Sequence, residues 1–377
     1  MTDRERILAI MSGKSPDRIP WIPRLLLWYN AHKKSGTLPQ RYRDWTLRDI
    51  ERDMGLGTPA RDGVVFRTEM NGVEIEERWL DDLYLRTEYR TPVGTVSTLF
   101  QGSDVLRQQA IQDLQVEFML KSREDYPVVE YILENTTAVP TYAEYERYEA
   151  EVGEDGYPLV ACGDCPFHHW MRALVGYEQA YFHLADYPNE VERLLAAMTH
   201  IDEQRYWPLI ADSPAKLILH GVHFSSFMTP PSMFEKYMLD YYQKFSALLR
   251  SRDKTLTLHG DNETRQILGH IEQAGYGMVE CFVTHPMVET TLAEARAAWG
   301  DRVIIWGGVP SAILEDPYTD EEFRIAMDDI FRAIAPGDAF ILGVADNVMP
   351  GAKLERVRHI TNMVDELGAY PIIADNP

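Results

Sequence analysis

The chain lacks several features that would assign it to a class directly. Three cysteines in 377 residues are too few for a disulfide framework, so we expect a reducing, cytoplasmic setting. No run of 18 or more apolar residues occurs, and residues 1–6 lead into no apolar signal segment, so we expect neither a membrane span nor secretion. Lysine and arginine number 37 against 59 acidic residues, and the net charge of −22 argues against a nucleic-acid partner.

Several catalytic signatures are also missing. No Gly-x-Gly-x-x-Gly follows the first apolar segment and no Walker loop occurs, which disfavours a nucleotide-binding open sheet. No Gly-x-Ser-x-Gly elbow of a serine hydrolase is present. Cys162 and Cys165 form a C-x-x-C without a second pair, so we interpret them as packing residues rather than as a zinc knuckle or a redox pair.

From about residue 157 onwards, strand-like segments alternate with helical segments. The strand candidates are 157–163, 215–220, 255–259, 277–282, 302–306 and 339–343. The helical candidates are 177–185, 188–206, 232–251, 264–274, 290–299, 320–334 and 353–367. Such alternation is typical of a parallel sheet, and with an N-terminal strand it predicts an α/β fold, a (β/α)8 TIM-like barrel. A doubly wound open sheet is the alternative.

The N-terminal part follows a different pattern. Residues 2–12 and 46–54 are predicted to be helical, and 19–29 to form an extended strand that leads to a polar end. Residues 63–100 alternate polar and apolar residues, and Asn71-Gly72 predicts a hairpin between the first two runs. We therefore predict one domain over residues 1–377, with 63–100 as an inserted antiparallel β meander.

Ionisable groups follow the predicted strands at the points where the strands end. They are Asp164, His220, His223, His259, Asp261, Glu280 and Asp346. Active sites of barrels form at the carboxyl ends of the strands, so this pattern predicts a functional site. Imidazole and carboxylate groups bind Zn²⁺ or a harder divalent ion, which makes His259, Asp261, Glu280 and Asp346 the candidate metal ligands.

Structural roles for the same residues stay open at this point. Asp261 would then cap a helix that begins near Glu263, and His259 would donate a hydrogen bond to a backbone carbonyl. Strand alternation also predicts that Cys281 points away from the site if Glu280 points into it.

Short motifs along most of the chain resemble the uroporphyrinogen decarboxylase superfamily, which includes cobalamin-linked methyltransferases. They lie at residues 4–9, 13–14, 16–20, 163–167, 229–234, 258–261, 305–309 and 349–352. The resemblance implies a TIM-like barrel, in agreement with the strand and helix pattern. Segment 24–29 reads Arg-Leu-Leu-Leu-Trp-Tyr instead of the Arg-Gln-Ala-Gly-Arg of true uroporphyrinogen decarboxylases, which argues against porphyrinogen decarboxylation.

The turn Thr91-Pro92-Val93-Gly94 resembles the methyltransferase-type branch. That branch implies a zinc site built from a His-x-Cys pair, a later Glu in some members and a distant Cys. By position these become His259, Asp261, Glu280 and Asp346, so both cysteine positions hold carboxylates here. Such ligands make the ion harder and more Lewis-acidic than thiolates do, which suits an ether, amine or alkoxide leaving group better than a thiol nucleophile.

The leading hypothesis is a metal-dependent methyltransferase. It would move a methyl group from a small methylated substrate, such as a methoxylated aromatic, to a corrinoid on a separate partner protein, since no Asp-x-His-x-x-Gly segment occurs. Zinc is the first choice of metal. Asp164, His220 and His223 are the candidate catalytic residues for positioning or proton transfer. The candidate substrate-binding residues are Arg24, Trp28, Tyr29, Phe224 and Trp306, with Trp21 as a further part of the apolar wall.

Two rival hypotheses stay open. The first is a metal-independent decarboxylase or lyase of the same fold acting on a small carboxylate. The second is a non-catalytic partner in a corrinoid system. Substrate, metal and methyl acceptor are not determined by the sequence, and a homodimer is one assembly it leaves open.

Overall fold

A computed structural model of the chain describes residues 1–109 and 111–373. Its contacts group into two compact units. The first comprises Met1–Gly63, Glu146–Ala161 and Ala215–Pro377, and the second comprises Val64–Tyr145 and Cys162–Pro214. The assignment of residues 1–377 to a single domain stays a prediction.

Twelve strands occur in the described residues. They are β1 (Phe66–Met70), β2 (Glu74–Trp79), β3 (Tyr84–Thr91), β4 (Gly94–Gln101), β5 (Leu114–Glu117), β6 (Thr136–Pro140), β7 (Leu159–Ala161), β8 (Leu217–Val222), β9 (Thr255–His259), β10 (Met278–Phe282), β11 (Ile304–Val309) and β12 (Phe340–Val344).

The α-helices are α1 (Asp3–Met11), α2 (Leu26–Ser35), α3 (Leu47–Asp53), α4 (Asp104–Gln108), α5 (Tyr126–Glu134), α6 (Tyr142–Val152), α7 (Pro166–His169), α8 (Tyr177–Asp186), α9 (Pro188–Ile201), α10 (Trp207–Asp212), α11 (Pro231–Phe234), α12 (Asp240–Arg250), α13 (Leu268–Gln273), α14 (Leu292–Trp299), α15 (Asp320–Ile334) and α16 (Leu354–Leu367). Three π-helical segments, Trp170–Val175, Asp202–Tyr206 and Glu235–Leu239, continue α7, α9 and α11. Among the described residues, no helix is both long and apolar enough to cross a bilayer.

The first unit is built on a parallel sheet of six strands in the order β12-β11-β10-β9-β8-β7. Sequential strands are neighbours and helices connect them, which confirms the predicted α/β alternation. Strands β9 to β12 consist almost entirely of buried residues, as expected for a parallel sheet that is covered on both faces. All strands of the sheet point the same way, so their carboxyl ends share one edge.

Backbone hydrogen bonds extend this sheet beyond both of its outer strands. At one edge, Trp21 forms a parallel bridge with Leu342 of β12. At the other edge, the Leu159 N–H of β7 donates to Ala60 O at 3.0 Å. The two flanking segments are themselves linked, because Gly57 N–H donates to Trp21 O at 3.0 Å.

The prediction of one extended segment over 19–29 is wrong in its second half. The extended chain ends before Leu26, and Leu26–Ser35 forms α2, which ends at Gly36 with a φ of 71°. A left-handed glycine after the last turn is a common way for a helix to end. The apolar run of leucines is compatible with either a buried strand or a buried helix, which is why the pattern alone was misleading.

The core of the first unit lies among inward-facing strand residues. Leu159, Leu217, Leu219, Met278 and Ile341 are each at most 1% exposed and belong to one apolar cluster. Helix α1 covers this cluster with Ile7 and Ile10. The cluster fixes the strands relative to one another, and so fixes where their polar ends lie.

The second unit contains the predicted meander in a modified form. Strands β2, β3, β4 and β5 form an antiparallel sheet in that order. Strand β1 does not pair with β2, so the hairpin predicted at Asn71-Gly72 is absent, and β1 pairs with β6 instead. Asn71 explains the difference, because both its backbone and its side-chain N–H groups donate to Asn135 O, next to β6.

Candidate active site

His259, the last residue of β9, is the centre of a polar cluster at the carboxyl edge of the parallel sheet. Its ring is buried, and Nδ1 lies 2.8 Å from Glu280 Oε2 on the neighbouring strand β10. The other nitrogen, Nε2, lies 3.4 Å from Asp261 Oδ2 and 3.5 Å from Asp346 Oδ1. Burial lowers the pKa of His259, but Cys281 and these carboxylates outweigh it and hold the pKa well above its ordinary value.

Asp261 follows β9 by two residues and faces His259. His223, just after β8, donates from Nδ1 to Asp261 Oδ2 at 2.6 Å. Burial acts to raise the pKa of Asp261, but the hydrogen bonds from His223 and His259 hold it well below its ordinary value. Its second oxygen, Oδ1, is buried and has no hydrogen-bond partner. Asp261 therefore does not cap a helix, and His259 does not use a backbone carbonyl.

Glu280 is bound by Arg61, a residue that no sequence motif indicates. Arg61 Nη1 lies 2.7 Å from Glu280 Oε1 and 2.9 Å from Oε2. Burial raises the pKa of Glu280, but Arg61 and His259 overcome this effect and keep the carboxylate ionised. Arg61 lies in the irregular segment that flanks β7, so no periodicity or motif in the sequence indicates its role.

Cys281 lies in the same cluster, and the prediction that it points away from Glu280 is wrong. The pairing of β10 with β11 shifts register between Glu280 and Phe282, and Cys281 has a φ of 54°. This bulge breaks the alternation of faces. The Cys281 thiol donates to Glu280 Oε1 at 2.9 Å and to Asp346 O at 3.3 Å. Burial and Glu280 raise the pKa of the thiol.

Arg24 and Asp346 complete the cluster. Arg24 Nη1 donates to Asp346 Oδ1 at 2.8 Å and lies 3.5 Å from Cys281 Sγ. Burial raises the pKa of Asp346, but His259 and Arg24 lower it more strongly. Arg24, which was predicted to bind substrate, thus contacts Asp346, one of the predicted metal ligands.

Three residues of the cluster have left-handed backbone conformations. His223, Cys281 and Asp346 have φ values of 57°, 54° and 57°. Non-glycine residues adopt this region at a cost, and such residues are concentrated at functional sites. His223 directly follows β8, Cys281 belongs to β10 and Asp346 follows β12 by two residues. This placement indicates that the edge of the sheet is shaped to converge on His259.

The remaining predicted site residues have other surroundings. His220 lies among aromatic residues, with Tyr242 Oη 3.3 Å from its Nδ1 and Tyr241 stacked on its ring. Asp164 belongs to the second unit, where it is buried and Arg172 donates to it at 2.7 Å. Neither contact involves His259, and the catalytic roles of both residues stay predictions.

The aromatic residues that were predicted to bind substrate are buried. Trp306 belongs to the core cluster and donates from its indole N–H to Ile22 O at 3.1 Å. Phe224 is fully buried against Phe234. Trp28 and Tyr29 lie in α2 rather than on a strand, and Tyr29 donates to the carbonyl of Trp45. Their role in substrate binding stays a prediction.

The donor atoms suit a metal ion. Two groups of residues each bring their possible ligand atoms within 4.8 Å of one another, and both include His259. One group adds His223 and Asp261, and the other adds Cys281 and Asp346. Glu280 is in neither group, because its oxygens face Arg61 and the far side of the imidazole. A carboxylate on one ring nitrogen with other donors facing the second is a common arrangement for a metal-binding histidine.

The fold and the site together define an α/β protein with a histidine–carboxylate cluster at the carboxyl edge of a parallel sheet. The family profile named Uroporphyrinogen decarboxylase (URO-D) matches residues 120–367, which is more than half of the chain. The chain belongs to this family. A search of curated protein sequences finds no match.

Several solved structures match the chain, and two of them are described here. A methyltransferase from Methanosarcina mazei is 15% identical with a TM-score of 0.54, over 97% of this chain and 99% of that one. A ribulose-1,5-bisphosphate carboxylase/oxygenase from Pyrococcus horikoshii is 10% identical with a TM-score of 0.30, over 63% of this chain and 47% of that one. The first likeness shows the fold, and the second is too weak to indicate one.

Proposed function

We propose that this protein is a metal-dependent methyltransferase. The observation that carries the proposal is the position of His259 Nε2, which faces Asp261 at 3.4 Å and Asp346 at 3.5 Å while Glu280 holds Nδ1. Two ligands of one tetrahedral zinc ion are separated by roughly 3.3 Å when the bonds are about 2.0 Å long. Each separation from His259 Nε2 is close to this value. Asp261 and Asp346 belong to different groups of clustered donor atoms, so at least one of the two carboxylates would move when both bind the same ion.

In this proposal His259, Asp261 and Asp346 hold a divalent ion, with zinc as the first choice. A bound ion would supply Lewis acidity to the heteroatom that loses the methyl group. Arg61 and Glu280 fix the tautomer and orientation of His259. His223 has a side chain that is 47% exposed and is bonded to Asp261, so it is placed to pass a proton to the leaving heteroatom.

The substrate would be a small methylated compound, such as a methoxylated aromatic, and the acceptor a corrinoid on a separate protein. The Methanosarcina mazei protein that shares this fold is named a methyltransferase. That name describes the other protein, and it supports methyl transfer as the reaction proposed here. We also propose that the parallel sheet closes into an eight-stranded TIM-like barrel. Support comes from the hydrogen bonds that continue through Trp21 and Ala60 and join these two segments at Gly57.

A decarboxylase or lyase is the second candidate, and one observation favours it. Two guanidinium groups, those of Arg24 and Arg61, lie within 3.7 Å of Cys281 Sγ at the site. Arginines bind carboxylate substrates well, so the same cluster suits a small carboxylate. This reaction would continue in the presence of a chelator and would release CO₂.

Metal analysis and a transfer assay test the proposal together. Purified protein, reconstituted with Zn²⁺, should hold about one equivalent and should convert cob(I)alamin to methylcobalamin with at least one compound of a methoxylated aromatic panel. Asp261→Asn should abolish both properties. Asp253→Asn changes an exposed aspartate that forms an ion pair with Lys216, and it should change neither property. Less than half an equivalent of any transition metal after reconstitution would contradict the metal site, and chelator-resistant CO₂ release would favour the second candidate.

A further inference from the structure

We propose that Cys281 supplies a thiolate ligand to the metal ion of this site, next to His259 and Asp346. The inference rests on the proposed function, because it requires a metal ion. It adds a ligand that strand alternation would have placed on the opposite face of β10.

The first support is the convergence of three donor atoms. Those of His259, Cys281 and Asp346 all lie within 4.8 Å of one another. Around a tetrahedral zinc ion, ligand atoms lie roughly 3.3 to 3.7 Å apart when Zn–N and Zn–O bonds are about 2.0 Å and Zn–S bonds about 2.3 Å. Small side-chain rotations are therefore sufficient to place all three residues around one ion.

The second support is the charge around the sulfur. Arg24 Nη1 and Arg61 Nη1 lie 3.5 and 3.7 Å from Cys281 Sγ, where their positive charges would offset the negative charge of a metal-bound sulfur. Arg61 also neutralises Glu280, the carboxylate that accepts the S–H hydrogen bond. When an ion binds, the S–H bond breaks, the sulfur keeps the electron pair for the metal and the proton passes to solvent.

The third support is the backbone conformation of Cys281. A cysteine that merely packs in a strand can follow the regular alternation and point into apolar surroundings. Cys281 instead adopts a φ of 54° at a bulge, and its thiol reaches two carboxylate-bearing residues and two arginines. The cost of this conformation is accounted for if the thiol has to face the site.

A thiolate changes which ions the site selects. Sulfur ligands favour Zn²⁺, Co²⁺ and Cd²⁺ over Mg²⁺ and Mn²⁺, which prefer oxygen alone. The carboxylates Asp261 and Asp346 keep the ion more Lewis-acidic than a site made of several thiolates. The substrate class implied by this mixed set is a weakly activated ether or amine, in keeping with the proposed function.

Cobalt substitution tests the proposal without measuring turnover. The Co²⁺ form of the wild-type protein should show a sulfur-to-cobalt charge-transfer absorption in the near ultraviolet. Cys281→Ser should lose this absorption and bind Zn²⁺ at least about ten-fold more weakly. Cys162→Ser and Cys165→Ser change the other two buried cysteines and serve as matched controls that should keep the absorption.

A second measurement on the wild-type protein avoids variants that fail to fold. X-ray absorption at the zinc edge should show one sulfur neighbour at about 2.3 Å among nitrogen and oxygen neighbours. A loaded site with only nitrogen and oxygen neighbours, or full cobalt binding without the charge-transfer absorption, would overturn the role of Cys281 and leave the metal site intact. Failure to bind any metal would overturn both.

Discussion

Arg61 holds both carboxylate oxygens of Glu280 through a single nitrogen, at 2.7 and 2.9 Å. The same carboxylate accepts a hydrogen bond from Nδ1 of His259, so the arginine acts on the imidazole through Glu280. Glu280 has a side chain that is only 1% exposed, and a charge buried to that degree requires its partner. Arg61 is thus a positioning residue for His259.

The first prediction concerns this arginine. Arg61→Ala should weaken Zn²⁺ binding by about 10- to 100-fold, since the loss of an outer partner of a metal-binding histidine has this effect. It should also lower the free energy of unfolding by about 3 kcal/mol, because Glu280 is left buried without a cation. Calorimetric titration and denaturant unfolding measure the two effects.

Arg52→Ala, which removes an arginine that is 58% exposed, is the control and should have little effect on either zinc affinity or stability. An Arg61→Ala protein with wild-type zinc affinity would exclude the positioning role.

The second prediction separates the two histidines that the sequence marked at neighbouring strand ends. His259→Ala should abolish stoichiometric metal binding, because His259 belongs to both candidate ligand groups. His220→Phe should retain full metal binding, because His220 contacts Tyr241, Tyr242 and Phe245. Metal content after reconstitution and dialysis is the measurement. Loss of metal from His220→Phe with an unchanged circular dichroism spectrum would contradict the surroundings described for this residue.

The third prediction concerns ligand-linked stability. An ion that binds only the folded chain stabilises it by about 2.7 kcal/mol at a concentration one hundred times its dissociation constant. Zinc should therefore raise the melting temperature of the wild-type protein, and a chelator should reverse the effect. His259→Ala should show no such increase, while Asp253→Asn should behave like the wild type. An equal increase in His259→Ala would mean that zinc binds elsewhere.

Prediction from the sequence was correct where strand geometry imposes a pattern on the residues. The end of β9 predicted His259 and Asp261 on one face, and the structure places both at the cluster. It was wrong where a single backbone irregularity decides the outcome. The bulge at Cys281 moves a side chain to the other face, and no propensity marks its position. Asn71 shows the same limit, because hydrogen bonds to a residue 64 positions away prevailed over the local hairpin signal.

Arg61 could not have been found from the sequence for a different reason. It lies in an irregular segment, and its importance comes from a partner 219 residues further along the chain. Local patterns carry no information about such a pair. Residues on regular strands were therefore predictable, whereas those that orient them were not.

The last prediction concerns pH and the buried carboxyl group of Glu51 in α3. Glu51 is 2% exposed and its Oε2 atom has no hydrogen-bond partner. Burial raises its pKa to about 8, although Arg48 and a hydrogen bond from Thr58 act in the opposite direction. A carboxyl group whose pKa is raised on folding contributes stability below its unfolded pKa, and this contribution is lost as the pH rises through the folded value.

The free energy of unfolding of the wild-type protein should therefore decrease between about pH 4.5 and pH 8 through the ionisation of Glu51. The Glu51 contribution is at most about 5 kcal/mol, because each pH unit between the two pKa values is worth about 1.36 kcal/mol. Glu51→Gln keeps the shape of the side chain but cannot ionise, so its stability should decrease less over the same range. Urea unfolding at intervals of half a pH unit measures the difference between the two curves. Equal metal content in both proteins would show that Glu51 has no role at the cluster. Parallel curves would show that folding does not raise the pKa of Glu51 and would contradict the prediction.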